Sequence, residues 1–511
     1  MSWTAGYVTE VDYTHDYYRE LNPTLLRLAC LSAGVAPPAE QRIRYLELGF
    51  GQGLSLNVHA AASDGEFYGI DFNPAHAANA RSLAAASGAK ALLFDDSFQR
   101  FLNRTDVGEF DYIGLHGIWS WISDENRQAI VDIVARRLKV GGILYISYNC
   151  LPGWAPAMPL RHLMTLHADL GSEAAGVIGR IEGALKFAQQ VVDSGALYFR
   201  ANQAIAERLK QISQQNRNYL AHEYFNRDWH VMPFSEVAQR LEDAKVSFVA
   251  SAHLLDHVEV ANLTGQAQRL LAEIQHPILR QSVRDYFVNQ HFRRDIFIKG
   301  ARKLSAVEQM EMLLSTAFVL MLDPTDVPMK VKGALGEAAL QEGVYKPILE
   351  VLSDGSFAPK KLADLTKHPK LHAMKLPEVM QALVVLVGAG HMHPVQQATK
   401  ESRTHCVALN HYICDRARGR DEIKCLASPV IGGGVAVSRI QQLFLLAFFA
   451  GKKGVSDQVQ HAWQIISSQG GRMLKDGKQL ESEQDNLTEL NQQAAVFAEK
   501  RVPVLKVLGV L

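Results

Sequence analysis

Between residues 43 and 148, short apolar runs alternate with stretches of helical spacing, and few folds accept that alternation. The pattern predicts strands at Ile43–Leu48, Phe67–Asp71, Ala91–Phe94, Tyr112–Leu115 and Ile143–Tyr148. Helices are expected between them at Leu54–Ala62, Pro74–Ser87 and Asp124–Leu138. Asn73-Pro74, and upstream Asn22-Pro23, each offer a capping side chain followed by a proline that has no N–H to leave unpaired. Ser123 with Asp124 and Glu125 suits a third helix start. Strands alternating with helices imply a parallel sheet covered on both faces, hence an α/β fold. In such sheets ligands bind at the carboxyl ends of the strands.

The first strand runs into Gly49-Phe50-Gly51-Gln52-Gly53, with glycine at every second position. Such a loop brings bare backbone against a ligand and aims a helix start at it. Asp71 closes the second strand, 22 residues after Gly49, where a carboxylate can accept both hydroxyls of a ribose. That spacing alone does not separate a dinucleotide from other adenosine ligands. The glycines read Gly-x-Gly-x-Gly, preceded by Glu47, so an acid stands where a pyrophosphate would be repelled. Glu47 suits a cationic amino group instead, and Asp95-Asp96-Ser97 at the third strand end offers an acceptor for an adenine amino group. S-adenosylmethionine carries a ribose, an adenine, an ammonium and a sulfonium, and no phosphate.

At 511 residues the chain exceeds what one core usually serves. Lysine plus arginine balances aspartate plus glutamate at 53 each, so no global field recruits nucleic acid or an anionic membrane. Five scattered cysteines fit a reducing cytoplasm better than a disulfide framework. The N-terminus lacks a signal-peptide pattern, and no apolar run reaches the length of a membrane span. A cytoplasmic protein is expected. From about residue 159 to 303 the spacing is mostly helical. Beyond it, Phe357–Leu365 and Leu376–Gly388 suggest two helices of a winged-helix-like unit, with a turn at residues 390–394. Its lysines read as a solvated face, not a nucleic-acid site. His391 with His393, and Cys406 with His405 and His411, match no zinc spacing, so no metal is expected.

Leu46-Glu47-Leu48-Gly49-Phe50-Gly51-Gln52-Gly53 resembles the cofactor loop of class I S-adenosylmethionine-dependent methyltransferases. Phe110–Trp121, Tyr145–Trp154, Arg161–His167, Tyr219–Asn226 and Asp285–Arg294 narrow the resemblance. They are similar to bacterial methyltransferases with a methyltransferase regulatory domain, a group that includes the rickettsial outer-membrane-protein lysine methyltransferases. The resemblance implies a Rossmann-like catalytic domain with an N-terminal lid over residues 1–165. A helical middle or regulatory domain at 166–303 and a C-terminal helical domain at 304–511 follow. It places Glu47, Gly49, Gly51 and Gly53 at the methionine part of the cofactor, Asp71 with Phe72 at the ribose, and Asp96 with Ser97 at the adenine. His116, at the end of the fourth strand, stands next to the sulfonium. In relatives Phe50 is often smaller, a departure that concerns packing.

Methyl transfer from a sulfonium needs donor and nucleophile held in line, water excluded, and the nucleophile free of its proton. Aromatic faces stabilise a methylated ammonium by cation–π attraction. Tyr7, Tyr13, Tyr17, Tyr18, Trp119, Trp121, Tyr148 and Trp154 are candidate channel walls, with Tyr17, Tyr148 and Trp154 expected beside the chemistry. His116 is expected there too, as a proton acceptor or as a hydrogen-bond partner that orients the nucleophile. Asn149 lacks the Asn-Pro-Pro-Tyr setting used on planar nitrogens, which argues against a nucleobase acceptor. The resemblance favours a protein lysine as acceptor over a small molecule, and the added helical units allow substrate gripping or a homodimer.

Overall fold

The computed structural model describes residues 14–171 and 176–511. Tyr7 and Tyr13 of the expected lid, and the side chain of Tyr219, lie outside the described residues. The alternation read from the sequence folds as β1 (Ile43–Leu48), β2 (Gly65–Ile70), β3 (Ala91–Phe94), β4 (Phe110–Leu115) and β5 (Leu138–Asn149). Helix α1 (Pro23–Ser32) precedes them, and α2 (Leu54–Ala62), α3 (Pro74–Ser87), α4 (Phe98–Leu102) and α5 (Asp124–Arg137) connect them. The expected caps close the helix starts. Asn22 accepts the Thr24 N–H at 2.7 Å, Asn73 the Ala75 N–H at 3.0 Å, and Ser123 the Asn126 N–H at 3.3 Å.

The first five strands are parallel, in the order β3-β2-β1-β4-β5. The chain winds outward in one direction from β1 and in the other from β4, so a crevice opens at their carboxyl ends. The stretch 166–303, mostly helical by spacing, also supplies β6 (Val246–Ser251) and β7 (Phe292–Lys299). β7 runs antiparallel to both β5 and β6 and completes a seven-stranded sheet, β3-β2-β1-β4-β5-β7-β6. The charged run Arg293-Arg294-Asp295 conceals β7 from a hydrophobic reading, yet Arg293 and Asp295 are buried. Arg293 Nε donates to Asp295 at 2.8 Å, and the same guanidinium pairs with Asp285 on the helix Pro277–Val288. The Tyr148 hydroxyl donates to the same Asp295 oxygen, Oδ2, at 2.7 Å.

Helices Met158–Leu170, Val177–Asp193, Gln203–Ser213 and Arg217–Tyr224 share a core of their own around Leu160, Met164, Ile181 and Leu209. Further on, strand Ala317–Leu320 pairs antiparallel with Lys360–Lys361 and with Met392–Pro394. Helices Glu342–Ser353 and Leu376–Gly388 pack beside these strands as the winged-helix-like unit; the helix expected at Phe357–Leu365 is confined to Leu362–Lys367, because Lys360–Lys361 pairs as a strand. Residues 392–394, expected in a turn, are its third strand. Helix Lys400–Arg416 and the hairpin of Cys425–Ser428 with Gly433–Ala436 then return to the first domain. Leu409, Leu443 and Phe444 share one core with Leu54 and Val58 of α2 and Leu83 of α3. Every residue of α2 is consequently buried, including Ser55, Asn57 and His59. Among the described residues no helix is long and apolar enough to cross a membrane.

Removing the Arg293 guanidinium would strand two buried carboxylates. Arg293→Ala should therefore lower the unfolding free energy by about 3–5 kcal/mol, read as a shift of the urea midpoint at unchanged slope.

Candidate functional site

Past β1 the backbone turns at Gly49, Gly51 and Gly53, all in the left-handed region with φ of 74°, 56° and 74°. Space as well as torsion demands glycine. A Cβ on Gly49 would stand 2.6 Å from the Ile118 side chain, and one on Gly53 2.4 Å from Ala80 Cβ. The loop is tied to β2: Gly49 N–H donates to the Ile70 carbonyl at 2.8 Å, and Gly51 N–H to Asp71 Oδ2 at 2.8 Å. Asp71 Oδ1 also accepts the Asn73 N–H at 2.9 Å and lies 3.1 Å from His76 Nδ1. One carboxylate thus joins the glycine loop, the end of β2 and the first turn of α3.

Above the loop lies a cavity at the carboxyl ends of the strands. Glu47, Gly49, Gly51, Gly53, Asp71, Phe72, Asp96, Ser97 and His116 all stand on its wall. Tyr18, Trp121 and Asp228 also line it. Its charge is one-sided. Asp16, Glu47, Asp71, Asp96 and Asp228 face it, and among the described residues no lysine or arginine does. Such a lining repels phosphate and suits a cationic ligand.

Glu47 is buried and accepts the Tyr45 hydroxyl at 3.2 Å, but no cationic side chain of the described residues pairs with it. Burial, with the nearby Asp71 charge, pushes its carboxyl up to about 8. Once it gives up that proton, the buried carboxylate can accept hydrogen bonds from an ammonium. Asp96 is committed differently: its Oδ2 accepts Arg104 Nη1 at 2.7 Å. Ser97 caps α4 by accepting the Arg100 N–H at 3.2 Å. His116 Nδ1 lies 2.7 Å from the Tyr145 hydroxyl, and the Tyr18 ring stacks on it at 4.0 Å. Burial pulls the imidazole down to about 4, so it is neutral at physiological pH.

Tyr17, Tyr148 and Trp154, expected beside the chemistry, lie off the cavity wall. Tyr17 and Tyr18 are adjacent in an extended segment and point to opposite sides. Tyr18 takes the cavity; Tyr17 lies 3.1 Å from His59 Nε2 and against Gly433 and Gly434. Tyr148 is held in the Asp295 network. Trp154 packs on Tyr224 and Trp229, with ring centroids at 6.1 and 5.3 Å, under the Arg208 guanidinium. Five residues escaped the sequence reading as site partners: Asp16, Tyr45, His76, Tyr145 and Asp228. The two tyrosines sit within apolar strands, where a lone hydroxyl is the only signal. Asp228 arrives from a distant segment and leaves no spacing signal at all.

Residues 46–142 match the family model of a methyltransferase domain, and residues 216–299 that of a predicted methyltransferase regulatory domain. The chain belongs to the family of Rossmann-like, S-adenosylmethionine-dependent methyltransferases that carry a methyltransferase regulatory domain. Within it, the chain is 43% identical over 515 positions, covering 100% of both, to the uncharacterized protein sll1526 of Synechocystis sp.. The uncharacterized protein RP789 of Rickettsia prowazekii is 25% identical over 309 positions, 58% of this chain and 53% of that one. In fold, the structure of PKMT2 from Rickettsia typhi in complex with AdoHcy superposes with a TM-score of 0.71. That match covers 95% of this chain and 98% of the other at 17% identity.

Because Glu47 is protonated in the free protein below about pH 8, an arriving ammonium must lower its pKa and expel a proton. Affinity should therefore rise as pH increases toward 8. Titration calorimetry at pH 7 in buffers of different ionisation enthalpy should show a proton released on binding S-adenosylhomocysteine. Glu47→Gln should abolish that release and weaken binding by roughly 10- to 100-fold.

Proposed function

We propose that this protein transfers the methyl group of S-adenosylmethionine to a lysine side chain of a protein, in the cytoplasm of a bacterium. The observation that carries the reading is the buried, cation-free Glu47 in a cavity lined by carboxylates and by no lysine or arginine of the described residues. The donor brings the methyl already activated on a sulfonium. This chain's residues have to hold, orient and desolvate. In this reading Glu47 takes the ammonium, while Gly49, Gly51 and Gly53 let backbone approach the methionine part. Asp71 keeps lone pairs for the ribose hydroxyls beside Phe72. Asp96 and Ser97 border the adenine through their backbone and free edges, since an arginine and a helix start already engage their side chains.

The acceptor side is read from His116, Tyr18 and Trp121. An acidic vestibule attracts a lysine ammonium, and aromatic faces favour its methylated product. The amine must lose its proton before attack, because an ammonium has no lone pair to offer the methyl group. The five cysteines, all buried and free, fit a reducing compartment. The regulatory segment contributes Asp228 to the same wall, so that segment and the donor site share a surface.

Calorimetry with S-adenosylmethionine and S-adenosylhomocysteine should show binding of both. Asp71→Ala should reduce it at least roughly 100-fold, because two charge-assisted hydrogen bonds and the loop anchor go together. With a methyl-labelled donor and a bacterial envelope-protein extract, label should enter protein and survive as methyl-lysine. Label confined to the small-molecule fraction would show a metabolite acceptor instead.

A further inference from the structure

His116 closes β4 with Nδ1 2.7 Å from the Tyr145 hydroxyl, a hydrogen bond that can run in either direction. Burial settles which. The Tyr145 hydroxyl is fully buried, and among the described residues its hydrogen-bond partner is His116 Nδ1. Were the imidazole the donor, the Tyr145 hydrogen would be buried with no acceptor, so Tyr145 donates and Nδ1 accepts. Beside them, Gly117 N–H donates to Ser147 Oγ at 2.8 Å and fastens the backbone next to His116 to β5.

We propose that the buried Tyr145 hydroxyl, by donating to Nδ1, holds His116 as the Nε2–H tautomer, a donor toward the cavity and not a base. Tyr145 is a positioning residue, acting through His116. The Tyr18 ring, stacked 4.0 Å away, and the Tyr145 ring, within 1° of coplanar, hold the imidazole plane. Glu20 and Arg294 are the charges that bear on it, and they oppose each other. With Nδ1 engaged and Nε2 carrying the proton, the ring has no free lone pair to take a proton from an acceptor ammonium. The acceptor must then reach the cavity already neutral, with His116 orienting it. That role toward the acceptor rests on the function proposed above; the tautomer does not.

The test uses the full chain labelled with isotopic histidine and a multiple-bond proton–nitrogen correlation spectrum, with His116 assigned by its loss in His116→Gln. The wild type should show the Nε2–H pattern, and Tyr145→Phe, folded by its thermal midpoint, a mixture of tautomers. Tyr145→Phe should also lower kcat roughly tenfold at unchanged KM for the donor. An Nδ1–H pattern in the wild type would overturn the proposal, as would an unaltered tautomer in Tyr145→Phe. Absence of methyl transfer to any acceptor would count against the proposed function alone, because the spectrum reads the tautomer without turnover.

Discussion

The carboxylate of Asp71 is the joint on which the site depends. Three left-handed glycines at alternate positions give a loop no intrinsic reason to hold one shape, and Asp71 supplies it from outside by accepting the Gly51 N–H. It does so while binding the Asn73 N–H and meeting His76, so loop, strand end and helix start move as one body. The placement has an electrostatic cost. Two acids, Glu47 and Asp71, sit at neighbouring strand ends with little water, and the strain appears at Glu47, which keeps its proton. The site is poised for a ligand that is itself a cation, and the seat for it is made before it arrives.

The aromatic wall opposite is held just as indirectly. Tyr18 reaches His116 from a short segment whose neighbours are fastened to separate parts of the molecule. Its own N–H donates to Ser55 Oγ at 2.9 Å, and Glu20 pairs with Arg294 at 2.8 Å. Arg19 donates to the Val387 carbonyl at 2.6 Å at the end of a winged-helix-unit helix, and Asn22 to the Ile431 carbonyl at 3.2 Å. Four contacts within five residues therefore tie one ring over the cavity to α2, to β7 and to both halves of the C-terminal region.

What could be read from the sequence follows from what an element needs. The strands β1 and β4 and most of β2 and β5 are buried on both faces and had to be apolar, so their spacing showed. The acids at their ends stood out against that background, and Glu47, Asp71 and Asp96 all line the cavity. β7 was invisible because Arg293 and Asp295 put charges into it; they neutralise each other two residues apart, and Arg293 also needs Asp285 on the helix Pro277–Val288, a partner outside the strand. The aromatic residues were ambiguous for a different reason. Tyrosine and tryptophan suit a channel and a core equally well, and only a neighbour decides between them. Tyr148 has Asp295 and Trp154 has Trp229, while Tyr18 has His116. Phe50, odd for its position, fills the space over Gly69, where a Cβ would stand 2.7 Å from its ring.

Helix α2 follows the glycine loop directly and is enclosed on every side, one flank by the sheet and the other by the C-terminal core. A helix in that position is ordinarily half-wetted and keeps a polar face. Here it has lost that face: Val58 and Ala61 belong to the same core as Leu443 and Phe444, nearly four hundred residues later. The catalytic sheet and the C-terminal region have accordingly become a single heritable unit. Neither could be exchanged for a relative's counterpart without rewriting α2, and a change at Phe444 reaches the cofactor loop through one shared layer of side chains.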